Sequence, residues 1–155
     1  KFTRTAIIAF DFKEALNFDG ETGPYLQYAS VRAGNILAKM AEIDEGFYVQ
    51  NLPGYLAEEK IDPFLNEADD IWELVYTVSR LDEIAAQTIV TLEPATLAKY
   101  AFTLAQRFNN FYHRYKIIRE EDPSRRMFYL SVVELVRHAL IKTLDMMGMQ
   151  SPRRM

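Results

Sequence analysis

Apolar residues recur with helical spacing along most of the chain. Over residues 25–41, Leu26, Ala29, Ala33, Ile36, Leu37 and Met40 fall on one stripe of a 3.6-residue helix. Thr22 offers a capping hydroxyl before this stripe. Pro24 sits in its first turn, where a missing N–H costs nothing. Residues 43–64 are punctuated by Gly46, Pro53, Gly54 and Pro63, which predicts a loop with at most one short helix. A helix is expected from about Glu67 to Ser79, with Ile71, Leu74, Val75 and Val78 inward. A shorter one follows from about Leu81 to Thr91, with Ile84, Ala85, Thr88 and Ile89 inward.

Residues 94–115 give the cleanest pattern. Pro94 opens it, and Leu97, Tyr100, Ala101, Leu104, Ala105, Phe108, Phe111 and Tyr112 form a wide apolar and aromatic stripe. The last helix starts after Asp122-Pro123, a cap and a first-turn proline, and stops near Gly148. Its inner face is Leu130, Val133, Val136, Leu140, Leu144 and Met147. No strand pattern or repeat interrupts the series. About five main helices joined by short connections must bury their stripes on one another, so the fold class is all-α, a helix bundle.

Composition leaves that picture intact. The 155 residues suit one domain, which at this length buries roughly 68–70% of its unfolded surface, enough for a self-sufficient core. The mix of 49% hydrophobic and 26% charged residues is that of a soluble globular protein. No cysteine is present, so disulfides and thiolate metal sites are excluded. No apolar run approaches the roughly 20 residues needed to cross a bilayer, so no membrane partner is expected. The N-terminal Lys1 to Phe10 is too short an apolar run for a signal peptide and lacks an initiator Met; it reads as a cut end of a larger parent.

Charge changes the picture more. The net charge of −4 argues against a nucleic-acid partner, but its distribution is uneven. Residues 1–41 carry five Lys/Arg and four Asp/Glu, residues 42–93 carry two and thirteen, and residues 94–155 carry eleven and five. An acidic middle and a basic end can present a local positive patch despite the low pI, or can simply be two solvated faces.

Catalytic machinery is missing. The six glycines form neither GxxxxGK[ST] nor GxGxxG. His113 and His138 lie on different predicted helices with no Cys or HExxH, so no metal site is expected. Acidic pairs such as Glu58-Glu59 and Asp69-Asp70 diverge on a helix and read as solvated surface. No nucleophile–base constellation appears, so no catalytic residue is assigned.

The informative run is Phe18-Asp19-Gly20-Glu21-Thr22-Gly23-Pro24-Tyr25-Leu26-Gln27-Tyr28-Ala29-Ser30-Val31-Arg32. It is a turn feeding a helix N-terminus, on which Tyr25, Tyr28 and Arg32 share a face roughly 100° round from the apolar stripe. Such a face is a plausible stacking platform for unpaired bases, or the edge of a core.

This run resembles the signature at the junction of the catalytic and anticodon-binding domains of arginyl-tRNA synthetases. Two further stretches are similar to that family in the same order. One is Glu93-Pro94 followed by Leu97, Tyr100, Leu104, Ala105, Phe108, Asn109, Phe111 and Tyr112; the other is Leu144 to Met155, a leucine-rich helix, a glycine, a proline and a terminal Arg-Met. The resemblance covers about residues 10–155 and is weakest over 42–66. The literal DALR tetrapeptide is absent, Arg126-Met127-Phe128-Tyr129-Leu130 standing in its region, and Ser30 replaces a histidine common in the family's YAHVR stretch.

The resemblance implies a junction segment over 1–24 and a helical anticodon-binding domain over 25–155. It implies that the bundle holds the anticodon loop of arginine tRNA and reads its middle base, a cytosine. The family's contacting residues fall on Tyr28 and Arg32 with Tyr25 beside them, on Tyr112, and on the terminal Met155. Lys116, Arg119, Arg125, Arg126, Arg153 and Arg154 are expected to supply positive charge for the RNA backbone. The fragment needs no cofactor, while a cytoplasmic parent uses ATP with Mg and arginine in its catalytic domain, which is also this domain's intrachain partner. No DNA partner is implied. Three other readings stay open: the anticodon domain of another class I synthetase, a free-standing helical module that binds protein, and an enzyme with an unrecognised site.

Overall fold

The computed structural model describes residues 7, 11–15, 20–58, 64 and 68–155. Phe18, Asp19, Glu59 and Glu67, and most of the junction segment, lie outside the described residues. Among those described, every regular element is helical. A single turn, α1 (Phe12–Ala15), precedes α2 (Gly23–Ile43). A 3₁₀ turn (Val49–Asn51) leads into the short α3 (Leu52–Glu58). Then come α4 (Asp69–Ser79), α5 (Leu81–Thr91), α6 (Pro94–Arg114), a second 3₁₀ turn (Ile117–Arg119) and α7 (Pro123–Met146).

The helix starts use the chemistry the sequence offers. Thr22 Oγ1 accepts from the Tyr25 amide at 3.3 Å, with Pro24 in the first turn. Asp122 Oδ1 accepts from the Ser124 amide at 2.9 Å, with Pro123 as first helical residue. Each cap satisfies an amide that has no partner within its helix, worth about 1 kcal/mol. Only two residues, Leu92 and Glu93, join α5 to α6. Leu92 turns the chain there with φ +54°, a left-handed conformation rare for a branched side chain.

The layers follow the stripes. α2 and α7 pack most extensively, and α6 lies against both. α4 and α5 cover the outer side of α6, and α3 rests on α7, where Tyr55 donates to the Ser124 carbonyl at 2.7 Å. Leu26, Ala29, Ala33, Ile36, Leu37 and Met40 of α2 meet Leu104, Ala105 and Phe108 of α6 and Leu130, Val133, Val136 and Leu140 of α7 in one continuous core. Phe108, Phe111 and Phe128 are its largest fully buried side chains.

Several inward assignments differ from the helical pattern. Ile89 is 73% exposed, because α5 buries only Leu81 and Ile84, both in its first half, against the bundle. Val75 and Val78 of α4 are only half-buried, and Thr77 is buried, returning its hydroxyl to the Glu73 carbonyl at 2.7 Å. Tyr112 is 40% exposed and stands on the shoulder of α6, one step beyond the buried Phe111.

The end of α7 is a Schellman turn. Gly148 adopts φ +72°, its amide donates to Asp145 O at 3.0 Å, and the Met149 amide donates to Leu144 O at 2.9 Å. This reverses the chain and lays its tail along α2. Gln27 Nε2 donates to Gln150 O at 2.8 Å, and the Ser30 and Ser151 hydroxyls bond at 2.7 Å. A Cβ on Gly23 would stand 3.4 Å from Met149 Sδ, so a small residue suits that position.

Candidate nucleic-acid interface

α2 and α6 run side by side and present one polar-aromatic cluster on their shared shoulder. Arg32 is its centre. Its Nη1 donates to Asn109 Oδ1 at 2.8 Å and its Nη2 to Tyr28 Oη at 3.0 Å. The guanidinium carbon lies 4.6 Å from the Tyr28 ring centre and 4.9 Å from that of Tyr112. A cation held between two aromatic faces is fixed in orientation by cation–π attraction as well as by its hydrogen bonds.

Tyr25 completes the base of the cluster. Asn109 Nδ2 donates to its hydroxyl at 2.8 Å, and its ring packs on Phe102 at a centroid distance of 5.4 Å. Tyr25 is thus half-buried, while Tyr28 and Tyr112 are each about 40% exposed. An open groove of about 530 Å³ runs along Tyr25, Tyr28 and Arg32, with Gln106, Asn109, Asn110 and His113 on its α6 side. Tyr112 and His113 meet edge to face at 5.6 Å.

Of the residues singled out from sequence, the fold brings Tyr25, Tyr28, Arg32 and Tyr112 together. Lys116 is exposed in the connector after α6, and Met155 is exposed at the chain end; none of the contacts within the cluster involves either of them. Asn109 was not legible as a site residue. It is half-buried, and it joins two tyrosine/arginine partners 77 and 84 positions away. The hints were its place in the stretch that resembles the family and its apolar neighbours on α6, among which an amide needs a partner. Ser30 faces the tail rather than the groove.

The acidic helix α4 meets α6 on its other flank. Arg107 pairs with Glu73 at 2.7 Å, Arg114 with Asp70 at 3.1 Å, and the Tyr115 hydroxyl donates to Asp70 at 2.9 Å. Asp70 is therefore a packing partner, not merely solvated surface. By helical period Arg107 and Arg114 stand roughly 140–160° around α6 from Asn109 and Tyr112. The cluster consequently faces away from α4, and its one formal charge is the positive charge of Arg32.

Among the described residues, no group of three or more His, Asp or Glu side chains is placed to hold a metal ion, and no helix is long and apolar enough to cross a membrane.

An all-α bundle with a half-exposed Tyr–Arg–Tyr cluster on its shoulder is the class of domain that fold and site define. The chain belongs to the DALR anticodon binding domain family, whose pattern matches residues 26–155. It is 35% identical over 147 residues to the arginine–tRNA ligase of Latilactobacillus sakei, which covers 94% of this chain and 23% of that protein. It is equally 35% identical over 146 residues to the arginine–tRNA ligase of Methanococcoides burtonii, covering 94% of this chain and 24% of the relative. The chain thus spans about a quarter of the length of these relatives. The structure superimposes on Thermus thermophilus arginyl-tRNA synthetase with a TM-score of 0.74 and 27% identity, over 94% of this chain and 23% of that one. A putative arginyl-tRNA synthetase from Campylobacter jejuni shares the fold at a TM-score of 0.75 and 18% identity, over 94% and 29% of the two chains.

Proposed function

We propose that this chain binds the anticodon loop of arginine tRNA on the shoulder of α2 and α6. The carrying observation is the Arg32 guanidinium held between the Tyr28 and Tyr112 rings. Both rings keep an exposed portion, so unpaired bases can stack against them, at about 1–3 kcal/mol per base. Arg32 and Asn109 offer a positioned pair of polar groups for a base edge. Tyr25 holds Asn109 in place. Lys116 and Met155 then serve at the periphery, Lys116 at phosphate and Met155 near the loop through the tail strapped to α2.

Family membership and the likeness to arginine–tRNA ligases support this reading. In it the chain works within a longer cytoplasmic protein, whose catalytic domain joins arginine to tRNA using ATP with Mg. The domain itself binds and positions.

The test is binding of the chain to an arginine tRNA transcript, and to the same transcript with its middle anticodon cytosine replaced, across a salt series. A preference for cytosine that Arg32→Ala abolishes is the expected result. Equal binding to both transcripts, by this chain and by a longer chain carrying the catalytic domain, would reject anticodon readout here. The salt slope counts the phosphates contacted.

A further inference from the structure

A second cleft, between α4, α5 and α6, carries chemistry that neither the core nor the aromatic cluster uses. It holds about 300 Å³, and its lining includes Tyr76, Arg80, Lys99, Tyr100, Thr103 and Arg107. Every charged side chain of the lining is cationic. Glu83 takes Nε and Nη2 of Arg80, at 3.1 and 3.0 Å, and Glu73 takes Nη1 of Arg107, at 2.7 Å, both from outside the lining. Each guanidinium keeps further N–H groups beyond those bonds. No ion pair engages Lys99 among the described residues, and its side chain is exposed.

Tyr100 is the unexplained member. It is 7% exposed, and its hydroxyl has no hydrogen-bond partner among the described residues. Burial pushes this phenol up to about 12, with Asp82 adding to the rise and Arg80 opposing it, so at neutral pH it is an O–H donor. A buried donor of this kind ordinarily has an acceptor. The lining therefore combines three cations, a donor in need of an acceptor and the half-exposed ring of Tyr76.

We propose that this cleft is a second binding site, for the phosphate group of a small phosphorylated ligand. A phosphate accepts several hydrogen bonds at once and matches the fork of an arginine. The surrounding α4 and α5 surface carries Asp69, Asp70, Glu73, Asp82 and Glu83, which repel an extended polyanion lying across them more than a single phosphate group held among the three cations. The site is separate from the proposed RNA surface, since Arg107 lies on the opposite flank of α6 from Asn109.

Trp72 is the chain's single tryptophan and lies one turn before Tyr76 on α4, so it reports on the cleft. Its fluorescence and the melting temperature are followed with inorganic phosphate, with adenosine monophosphate, and with sodium chloride at matched ionic strength. The expected result is a saturable change and a rise of a few degrees with phosphate that chloride does not give. Lys99→Ala should abolish this rise, and Tyr100→Phe should at least halve it while melting no lower than the parent in chloride. Equal effects of the two phosphates assign inorganic phosphate as ligand. A larger effect of the nucleotide that Tyr76→Ala removes assigns a phosphomonoester with an aromatic base. Identical melting in phosphate and chloride, or a full phosphate-specific rise in either the Lys99 or the Tyr100 variant, overturns the proposal.

Discussion

Asn109 accepts a hydrogen bond from Arg32 at 2.8 Å and, through its amide nitrogen, donates to Tyr25 at 2.8 Å. One side chain on α6 thus sets the orientation of two on α2. Asn109→Ala removes both bonds while leaving the buried stripe of α6 intact. Net loss of stability should be about 1–2 kcal/mol, from two partly exposed hydrogen bonds. Affinity for arginine tRNA should fall about tenfold or more, since Arg32 loses its fixed direction. Denaturant unfolding and filter binding on one preparation separate the two effects.

Arg32→Lys is expected to behave more like Arg32→Ala than like the parent. An ammonium has no planar face to lie between the Tyr28 and Tyr112 rings and no fork to reach Asn109 and Tyr28 together. Loss of the sandwich should cost about 1–2 kcal/mol in binding. Unchanged circular dichroism with a raised dissociation constant is the expected pair of readings; a lysine variant that binds as well as the parent would show that charge alone suffices.

The tail depends on one backbone conformation. Gly148 sits at φ +72°, so Gly148→Ala should destabilise the turn by about 1–2 kcal/mol. Hydrogen exchange at the Met149 amide, which donates to Leu144, should accelerate with it. Ser30→Ala is expected to leave the turn intact while loosening Ser151, seen as faster proteolysis after Gln150.

The acidic flank should stay clear of RNA. Residues 42–93 carry thirteen Asp/Glu against two Lys/Arg, and α4 spends Asp70 and Glu73 on the far side of α6. Cross-linking from the anticodon loop is expected at α2 and the second half of α6 and not at residues 69–83. Cross-links concentrated on α4 would relocate the interface.

Alkaline pH should weaken the bundle in a defined window. Tyr100 and Tyr115 are both raised to about 12, chiefly by burial, and for Tyr115 also by the hydrogen bond it donates to Asp70. An unfolded tyrosine ionises near pH 10. Because the folded values are the higher ones, the stabilisation is complete below about pH 10 and is lost as pH rises towards about 12. Absorbance at the phenolate band should show Tyr100 and Tyr115 ionising late, together with unfolding. Tyr115→Phe should make the fall in stability shallower.

How much of this was legible in sequence follows from what each feature depends on. Capping and periodicity are local: Thr22 and Pro24, Asp122 and Pro123, and the spacing of Leu97 to Phe111 settle where α2, α6 and α7 run and which faces they bury. The same period placed Tyr25, Tyr28 and Arg32 on one face, because residues three and four apart on a helix are neighbours. Ile89 misled for a related reason. Its spacing on α5 was sound, but whether a helix is covered along its full length depends on which other elements pack against it.

Only the tertiary structure could decide the pairing of α2 with α6, and through it that Tyr112 is a wall of the cluster instead of part of the core. The role of Asn109, the lodging of Ser151 against Ser30 and the burial of the Tyr100 hydroxyl depend on contacts between residues far apart in the chain. Helical period fixes angle around one axis but carries no information about which side chain on another axis arrives within hydrogen-bonding distance. That distance comes from core packing, which brings α2, α6 and α7 together and leaves their shoulders to meet.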